Sequence, residues 1–161
     1  MIFLYEGARG FDGKRVKGFL QMIDGETYIT PLGSFVARQV VPETVRAFIG
    51  RRDRNGHELF EYDVVRFILD EPEEDYSDSE YVILWDEEKC GFVAKWTESA
   101  DEEDVIDTYF TSNCVLVGNA LADPTRAGVH GATVKAAKSQ SLRNLLGEYL
   151  EQRGGTDGEM V

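Results

Sequence analysis

The stretch TVRAFIGRRDRNGHELFEYDVVRF, residues 44–67, decides the fold because two β-like runs flank a polar turn. A β-branched and aromatic run ends at Gly50, and Asp63 opens a largely apolar run to Leu69. Asn55-Gly56 lies between them and can supply the positive φ angles of a tight hairpin turn. Asp63 is predicted to accept backbone hydrogen bonds from this turn rather than act as a general base. Asn55, Gly56 and Asp63 are therefore interpreted as structural turn residues.

Short runs of strand character separated by turn residues continue on both sides of this stretch. Arg15 to Ile23 and Glu26 to Thr30 are joined by Asp24-Gly25, which predicts a second hairpin. A helix is predicted over Ser99 to Phe110, because Ser99 and Glu102 fit a capping box. The remaining predicted strands are Phe35 to Val41, Tyr81 to Trp85, Gly91 to Trp96 and Asn113 to Asn119.

The elements predict a mainly β (α+β) protein, with a small antiparallel β-barrel-like domain and a C-terminal amphipathic helix. The β domain is expected over residues 1–126, a linker over 127–138, the helix over 139–153 and a disordered tail over 154–161. The helix is predicted from an apolar stripe at helical spacing, formed by Leu142, Leu145, Leu146, Tyr149 and Leu150. This stripe needs to be covered, either by the chain's own β domain or by a second subunit.

Charge is unevenly distributed along the chain, which carries a formal net charge of −13. Residues 70–107 hold sixteen acids against Lys89 and Lys95, whereas residues 1–52 have a small basic excess. The acidic part opposes contact with a phosphate backbone, so nucleic acid is not expected as a generic partner. Residues 70–80 are interpreted as a solvated loop, and a cation site or a docking surface for a basic protein remain alternatives.

Arg51, Arg52 and Arg54 form a basic tip around the central turn, and together with His57 they could contact nucleic acid. Solubility alone also explains a basic turn. These three arginines and the leucine-stripe residues Leu142, Leu145, Leu146 and Tyr149 are the candidate interaction residues.

The sequence contains no motif that names a reaction. It lacks a nucleophile elbow and a phosphate-binding glycine loop, and His57 and His130 are not paired with a carboxylate at a diagnostic spacing. Cys90 and Cys114 lack metal-ligand spacing, and two reduced thiols are expected. No catalytic, cofactor-binding or metal-binding residue is assigned, and a non-enzymatic role is favoured.

Location is predicted from the apolar runs and from the opening residues. No apolar run approaches the roughly 20 residues needed to span a bilayer, so no membrane partner is expected. The opening residues lack the basic start and the long apolar run of a signal peptide. The cytoplasm of a host bacterial cell is the expected location.

Residues 44–67 resemble the YopX-like family, small proteins of phages and prophages. The matching residues are Thr44, Phe48, Gly50, Asp53, Asn55, Gly56, Glu58, Glu61, Asp63 and Val64. The flanking stretches Gly13 to Pro31 and Val115 to Pro124 resemble the family's N-terminal hairpin and closing strand. The chain departs from the family where Tyr62 directly precedes Asp63, since the family often has a glycine there. The acidic segment at residues 70–80 and the C-terminal apolar stripe are also peculiar to this chain.

The resemblance implies a β-rich small barrel of phage or prophage origin and no established activity. The favoured function is an accessory protein that acts as a non-enzymatic protein-interaction module and associates with itself or with a host or phage protein. One alternative is an acidic inhibitor, or nucleic-acid mimic, of a host protein. The other is a nucleic-acid binder that uses the turn at Arg51–Arg54.

Overall fold

The computed structural model describes residues 4–68 and 79–138. The chain divides into two compact units. The first unit contains Met1–Val45 and Ala136–Val161, and the second contains Arg46–Lys135.

The strands of the first unit are β1 (Tyr5–Ala8), β2 (Arg15–Ile23), β3 (Glu26–Pro31) and β4 (Arg38–Gln39). They pair antiparallel in the order β4-β3-β2-β1, and a 3₁₀ turn follows at Pro42–Thr44. Asp24 and Gly25 connect β2 and β3 with φ angles of 52° and 79°, so the predicted hairpin is confirmed. The predicted strand at Phe35 to Val41 is reduced to the two residues of β4.

The second unit contains a two-stranded hairpin and a five-stranded antiparallel sheet. The hairpin pairs β5 (Arg46–Arg52) with β6 (Glu58–Phe60). The strands of the sheet are β7 (Asp63–Phe67), β8 (Glu80–Asp86), β9 (Gly91–Trp96), β10 (Glu103–Val105) and β11 (Cys114–Asn119). Their order in the sheet is β10-β9-β8-β7-β11.

The prediction of a mainly β, antiparallel protein is confirmed, but the predicted barrel is wrong because the sheets do not close. Closure of the five-stranded sheet would require its edge strands β10 and β11 to pair with each other. The edge strand β10 has three residues, and Glu103 and Asp104 give it the short, charged character that opposes further pairing.

The helix predicted over Ser99 to Phe110 is wrong over its first half. Residues Glu103–Val105 form β10 and pair with β9 instead, with Asp104 opposite Ala94. The helix α1 covers Thr108–Ser112, and the Asp107 side chain caps it by accepting a hydrogen bond from the Phe110 N–H at 2.8 Å.

The segment interpreted as a linker is helical in the structure. A 3₁₀ helix covers Pro124–His130, and a helix that we call α2 covers residues 131–138. Ala127, His130 and Val134 are buried, which explains why this segment is ordered. The helix and the tail predicted over 139–161 lie outside the described residues. Within residues 4–68 and 79–138, no helix is long and apolar enough to cross a membrane.

Two apolar clusters cover opposite faces of the five-stranded sheet, because successive strand residues point to opposite sides. One face includes Val65 and Ile83, which pack with Ile106 and Phe110. The other includes Val64 and Val82, which pack with Ala127 and Val134. Burial on both faces explains the nearly continuous apolar sequence of β7.

Candidate functional site

The central turn is organised by the carboxylate of Asp53, whose side chain is fully buried. One carboxylate oxygen accepts hydrogen bonds from the N–H groups of Asn55 and His57, at 2.9 and 2.8 Å. The other accepts the N–H of Leu116 in β11, also at 2.8 Å. Asp53 therefore both closes the turn and fastens it to the five-stranded sheet.

The turn differs from the tight hairpin expected at Asn55-Gly56. Five residues separate the paired residues Arg52 and Glu58, and of the pair Asn55-Gly56 only Gly56 has a positive φ, at 84°. The Arg54 N–H donates to the carbonyl of Cys114 at 2.9 Å, which is a second link to β11. Asp53 and β11 therefore stabilise a longer turn than the two-residue signal indicates.

His57 and Asp53 form a pair that the sequence did not predict. The Nδ1 atom of His57 lies 3.3 Å from Oδ2 of Asp53, and 62% of the His57 side chain is exposed. Burial raises the pKa of Asp53, but the N–H groups of Leu116 and His57, the His57 ring and the Asn55 N–H outweigh this effect and lower it. Asp53 is thus held as a carboxylate that accepts backbone hydrogen bonds.

The basic tip predicted at the central turn is partly neutralised by its own neighbours. Arg52 donates to the carbonyl of Gly56 at 2.9 Å and lies 3.4 Å from Glu58. Arg51 lies 3.4 Å from the hydroxyl of Thr108, and Arg54 is exposed. The three arginines are brought to one turn, but their contacts are those of a solvated hairpin.

Asp63 lies in a buried polar cluster in the same unit. Its carboxylate accepts hydrogen bonds from Arg46 at 2.5 Å, from the side-chain amide of Asn119 at 3.0 Å and from the Phe60 N–H at 2.8 Å. The guanidinium of Arg46 also lies 4.6 Å from the centre of the Phe60 ring. Asp63 has the predicted structural role, and the bond to Phe60 joins it to β6.

Burial changes the acidity of the groups around Asp63. It raises the pKa of Asp63, and Arg46, Asn119 and the Phe60 N–H offset part of this increase. Burial also raises the pKa of Glu61 to about 7, and burial together with the charge of Glu61 raises the pKa of Tyr62 to about 12. Glu61 is therefore the group in this cluster that titrates near neutral pH.

The carboxylates of Asp53 and Asp63 have structural roles in the central segment. Hydrogen bonds from backbone N–H groups and from buried donors occupy the carboxylates of Asp53 and Asp63. Among the described residues, no group of three or more His, Cys, Asp or Glu side chains could hold a metal ion. Cys114 is buried, burial raises the pKa of its thiol to about 12, and Cys90 is exposed.

A different kind of surface occurs in the first unit, at a loop we call the apolar loop, residues Leu32 to Val36. Leu32 and Val36 are exposed, and Phe35 has a relative exposure of 104%, as in an extended chain. Two local hydrogen bonds support the loop backbone: the Ser34 N–H donates to the carbonyl of Pro31 at 3.0 Å, and the Val36 N–H donates to the Ser34 hydroxyl at 3.1 Å. The loop thus holds three apolar side chains in solvent on an ordered turn.

The first unit has further exposed apolar side chains and a cavity. The cavity has a volume of about 750 Å³ and includes Ala37, the residue that directly follows the loop, with Val40 and Val41. The other large exposed apolar side chains of the first unit are Phe11, Phe19, Leu20, Met22 and Ile23. Because successive strand residues point to opposite sides, the exposed apolar side chains of β2 are divided between its two faces.

The structure brings together some of the predicted site residues and identifies others that were missed. Asn55 and Gly56 lie in one turn with the three arginines, and Asp63 lies in the neighbouring cluster. The leucine-stripe residues Leu142, Leu145, Leu146 and Tyr149 lie outside the described residues. The missed residues are Asp53 as the turn's organiser, Arg46 and Asn119 as partners of Asp63, and the apolar loop. Aspartate side chains in turns commonly accept the backbone N–H two residues further on, a signal that could have identified Asp53.

Comparisons with known proteins find a similar chain among solved structures, but no match among family models or curated proteins. Among solved structures, the crystal structure of protein EF1440 from Enterococcus faecalis is similar, with 14% sequence identity and a TM-score of 0.45. The match covers 77% of this chain and 96% of that chain.

Proposed function

We propose that this protein is a non-enzymatic protein-interaction module that associates with a second copy of itself. The observation that carries the proposal is the apolar loop, in which Leu32, Phe35 and Val36 are exposed on a fixed turn. Burying such side chains stabilises a contact by about 1.5–3 kcal/mol each. A loop that is already ordered loses little conformational entropy when it binds.

Two features favour a second copy as the partner. The first unit has both an exposed apolar loop and a cavity, and Ala37 in the cavity wall directly follows the loop in the chain. A contact between two identical surfaces of this kind is self-complementary, as in two-fold symmetric dimers. Cavities of about 300–1,000 Å³ hold drug-sized ligands, so this one has room for apolar side chains.

The charge of the first unit does not oppose self-association. Residues 1–45 and 136–161 together contain nine acids and eight bases, although the whole chain carries a net charge of −13. Two first units can therefore approach each other with little net repulsion. The C-terminal apolar stripe remains a proposed second contribution to assembly.

Membership of the YopX-like family, with a phage or prophage origin and a cytoplasmic location in the host cell, is part of the proposal. It is supported by the arrangement of the motif residues, in which a strand containing Gly50, a turn capped by Asp53 and a strand opening at Asp63 follow one another. The acidic inhibitor and the nucleic-acid binder remain alternatives, which charge alone supports.

Light scattering after size exclusion tests the proposal with a matched pair of double variants. Leu32→Ser with Phe35→Ser should shift the protein to the monomeric mass, because it removes the exposed anchors. Val105→Ser with Val129→Ser removes exposed apolar side chains of the second unit and should leave the mass unchanged. Unchanged association in the first variant, or an equal loss in both, would contradict the proposal.

A further inference from the structure

The three asparagines that the structure describes differ in how their side chains are held. The Asn113 amide donates to the carbonyl of Tyr109 at 2.8 Å. The Asn119 amide donates to Asp63 at 3.0 Å, and its oxygen accepts two backbone N–H groups. Asn55 is exposed, and its side chain has no hydrogen-bond partner among the described residues. Of the three side chains, that of Asn55 is therefore the one that can rotate freely.

Gly56 follows Asn55 and leaves the peptide nitrogen between them accessible. Gly56 is exposed, and a Cβ atom added to it would meet no other atom within 4 Å. By contrast, the residues that follow the other two asparagines, Cys114 and Ala120, are buried. The glycine that supplies the positive φ of the turn therefore also opens the backbone beside an unrestrained amide.

One hydrogen bond restrains the Gly56 nitrogen. Its N–H donates to the carbonyl of Asp53 at 3.0 Å, and this bond must break before the nitrogen can react. Surface turns open locally at a much lower free energy than the whole domain unfolds. The folded turn therefore slows a reaction at this nitrogen relative to the unfolded chain, but does not prevent it.

We propose that Asn55 is a site of spontaneous covalent modification, in which its amide is converted to a carboxylate through a succinimide. The Gly56 nitrogen gives its proton to solvent and bonds to Cγ of Asn55, while the side-chain nitrogen takes up a proton and leaves as ammonia. Water then opens the ring. Cleavage at Cγ leaves an aspartate, and cleavage at the main-chain carbonyl leaves an isoaspartate, in which the backbone runs through Cγ. This site does not depend on self-association.

The isoaspartate product weakens the central turn, because the turn depends on the spacing of two N–H groups. Oδ1 of Asp53 accepts the N–H groups of Asn55 and His57, at 2.9 and 2.8 Å. Isoaspartate adds one backbone atom between these groups, so both cannot keep these distances to one oxygen. The same carboxylate accepts the Leu116 N–H through Oδ2, so the change also loosens the attachment to β11. Either product adds one negative charge beside the basic tip.

The site is tested by peptide mapping with mass spectrometry on the full chain, sampled during a long incubation, with a parallel sample unfolded in urea. Exchange of the amide NH₂ for OH should accumulate at Asn55 before it does at Asn113 or Asn119. It should be faster in mildly alkaline than in mildly acidic buffer, because the attacking nitrogen must lose its proton. Isoaspartate-specific enzymatic methylation identifies the second product. Earlier conversion of Asn113 or Asn119, or an Asn55 that stays intact after many half-times of the urea sample, would overturn the proposal.

Two variants separate this chemistry from general ageing and from the added charge. Asn55→Gln keeps an amide on a side chain one methylene longer, which closes the ring much more slowly, so its mass should stay constant. Hydrogen exchange at the His57 N–H reports on the turn, and it should be at least about tenfold faster in the isoaspartate product than in fresh protein, because the N–H loses its acceptor. Fresh Asn55→Asp adds the charge without the additional backbone atom and should exchange like fresh protein. Equal exchange in the isoaspartate product and in fresh protein would contradict the effect on the turn.

Discussion

Polar side chains are usually exposed and apolar ones buried. The central segment, residues 46–67, and the apolar loop in the first unit depart from this rule in opposite ways. In the central segment, Asp53 and Asp63 are buried and their oxygens accept hydrogen bonds from fixed donors. In the apolar loop, Leu32, Phe35 and Val36 are exposed on an ordered backbone. Buried polar groups with satisfied partners stabilise a fold, whereas clustered exposed apolar groups are typical of interaction surfaces. The difference supports a structural role for the first region and is the basis of the interaction proposed for the second.

The largest effect is expected for Asp63→Ala, because it leaves the guanidinium of Arg46 buried without its carboxylate. The two side chains are only 10% and 2% exposed, so water cannot compensate fully. The free energy of unfolding, measured with urea, should fall by about 3–5 kcal/mol. Asp104→Ala, at an exposed aspartate in β10, should change it by less than about 0.5 kcal/mol. Similar losses in the two variants would show that the buried pair is not special.

A smaller loss is expected for Asp53→Ala, which leaves the N–H groups of Asn55, His57 and Leu116 without their acceptor. We expect a decrease of about 2–3 kcal/mol in the free energy of unfolding. Because the folded pKa of Asp53 is lowered, its contribution is present above the unfolded pKa of about 3.9 and is lost as the pH falls through the folded value. Asp53→Asn should therefore flatten the pH dependence of stability in acid, and an unchanged acid profile would contradict this role.

Glu61→Gln tests the cluster near neutral pH. The stability contribution of Glu61 depends on pH in the opposite direction to that of Asp53. Burial raises the folded pKa of Glu61 to about 7, above the unfolded value of about 4.3. Its stabilising contribution is therefore complete below about pH 4 and decreases as the pH rises to about 7. Glu61→Gln should be more stable than the unsubstituted protein by about 1–3 kcal/mol at pH 8, with little difference at pH 4. Equal stability of the two proteins at both pH values would show that this carboxyl is solvated.

The smallest effect on stability is expected for Phe35→Ser, although this is the change with the largest expected effect on assembly. The ring is fully exposed, so its removal should change the free energy of unfolding of the monomer by less than about 0.5 kcal/mol. The measurement is urea unfolding at low protein concentration, where association does not contribute. A loss above about 1.5 kcal/mol would mean that Phe35 packs within its own unit.

The parts of the fold that depend on local sequence could be predicted, and those that depend on distant contacts could not. Asp24-Gly25 predicted its hairpin because both positive φ angles are local properties. The helix predicted from Ser99 failed because pairing of Asp104 with Ala94 in β9 outweighs the helical signal. An open sheet and a barrel differ in whether the two edge strands pair with each other, and no local sequence pattern indicates this pairing.

The same division applies to the candidate site. The structural roles of Asn55, Gly56 and Asp63 follow from turn chemistry, and the sequence identified these residues. The partners Arg46 and Asn119 lie 17 and 56 positions from Asp63, so their convergence is a property of the fold. The apolar loop was missed because residues 35–36 read as the beginning of a strand, although the strand begins at Arg38. Exposure cannot be read from residue type alone, since apolar atoms are common at protein surfaces.

The central claim, that the exposed apolar surface of the first unit pairs two copies of this chain, is tested most directly by sedimentation equilibrium of the unsubstituted protein over a wide concentration range. The chain has a mass of 18.1 kDa. The apparent mass should rise with concentration towards twice this value, and Leu32→Ser with Phe35→Ser should hold it at the monomer value. An unsubstituted protein that stays at 18.1 kDa at every concentration would contradict the account.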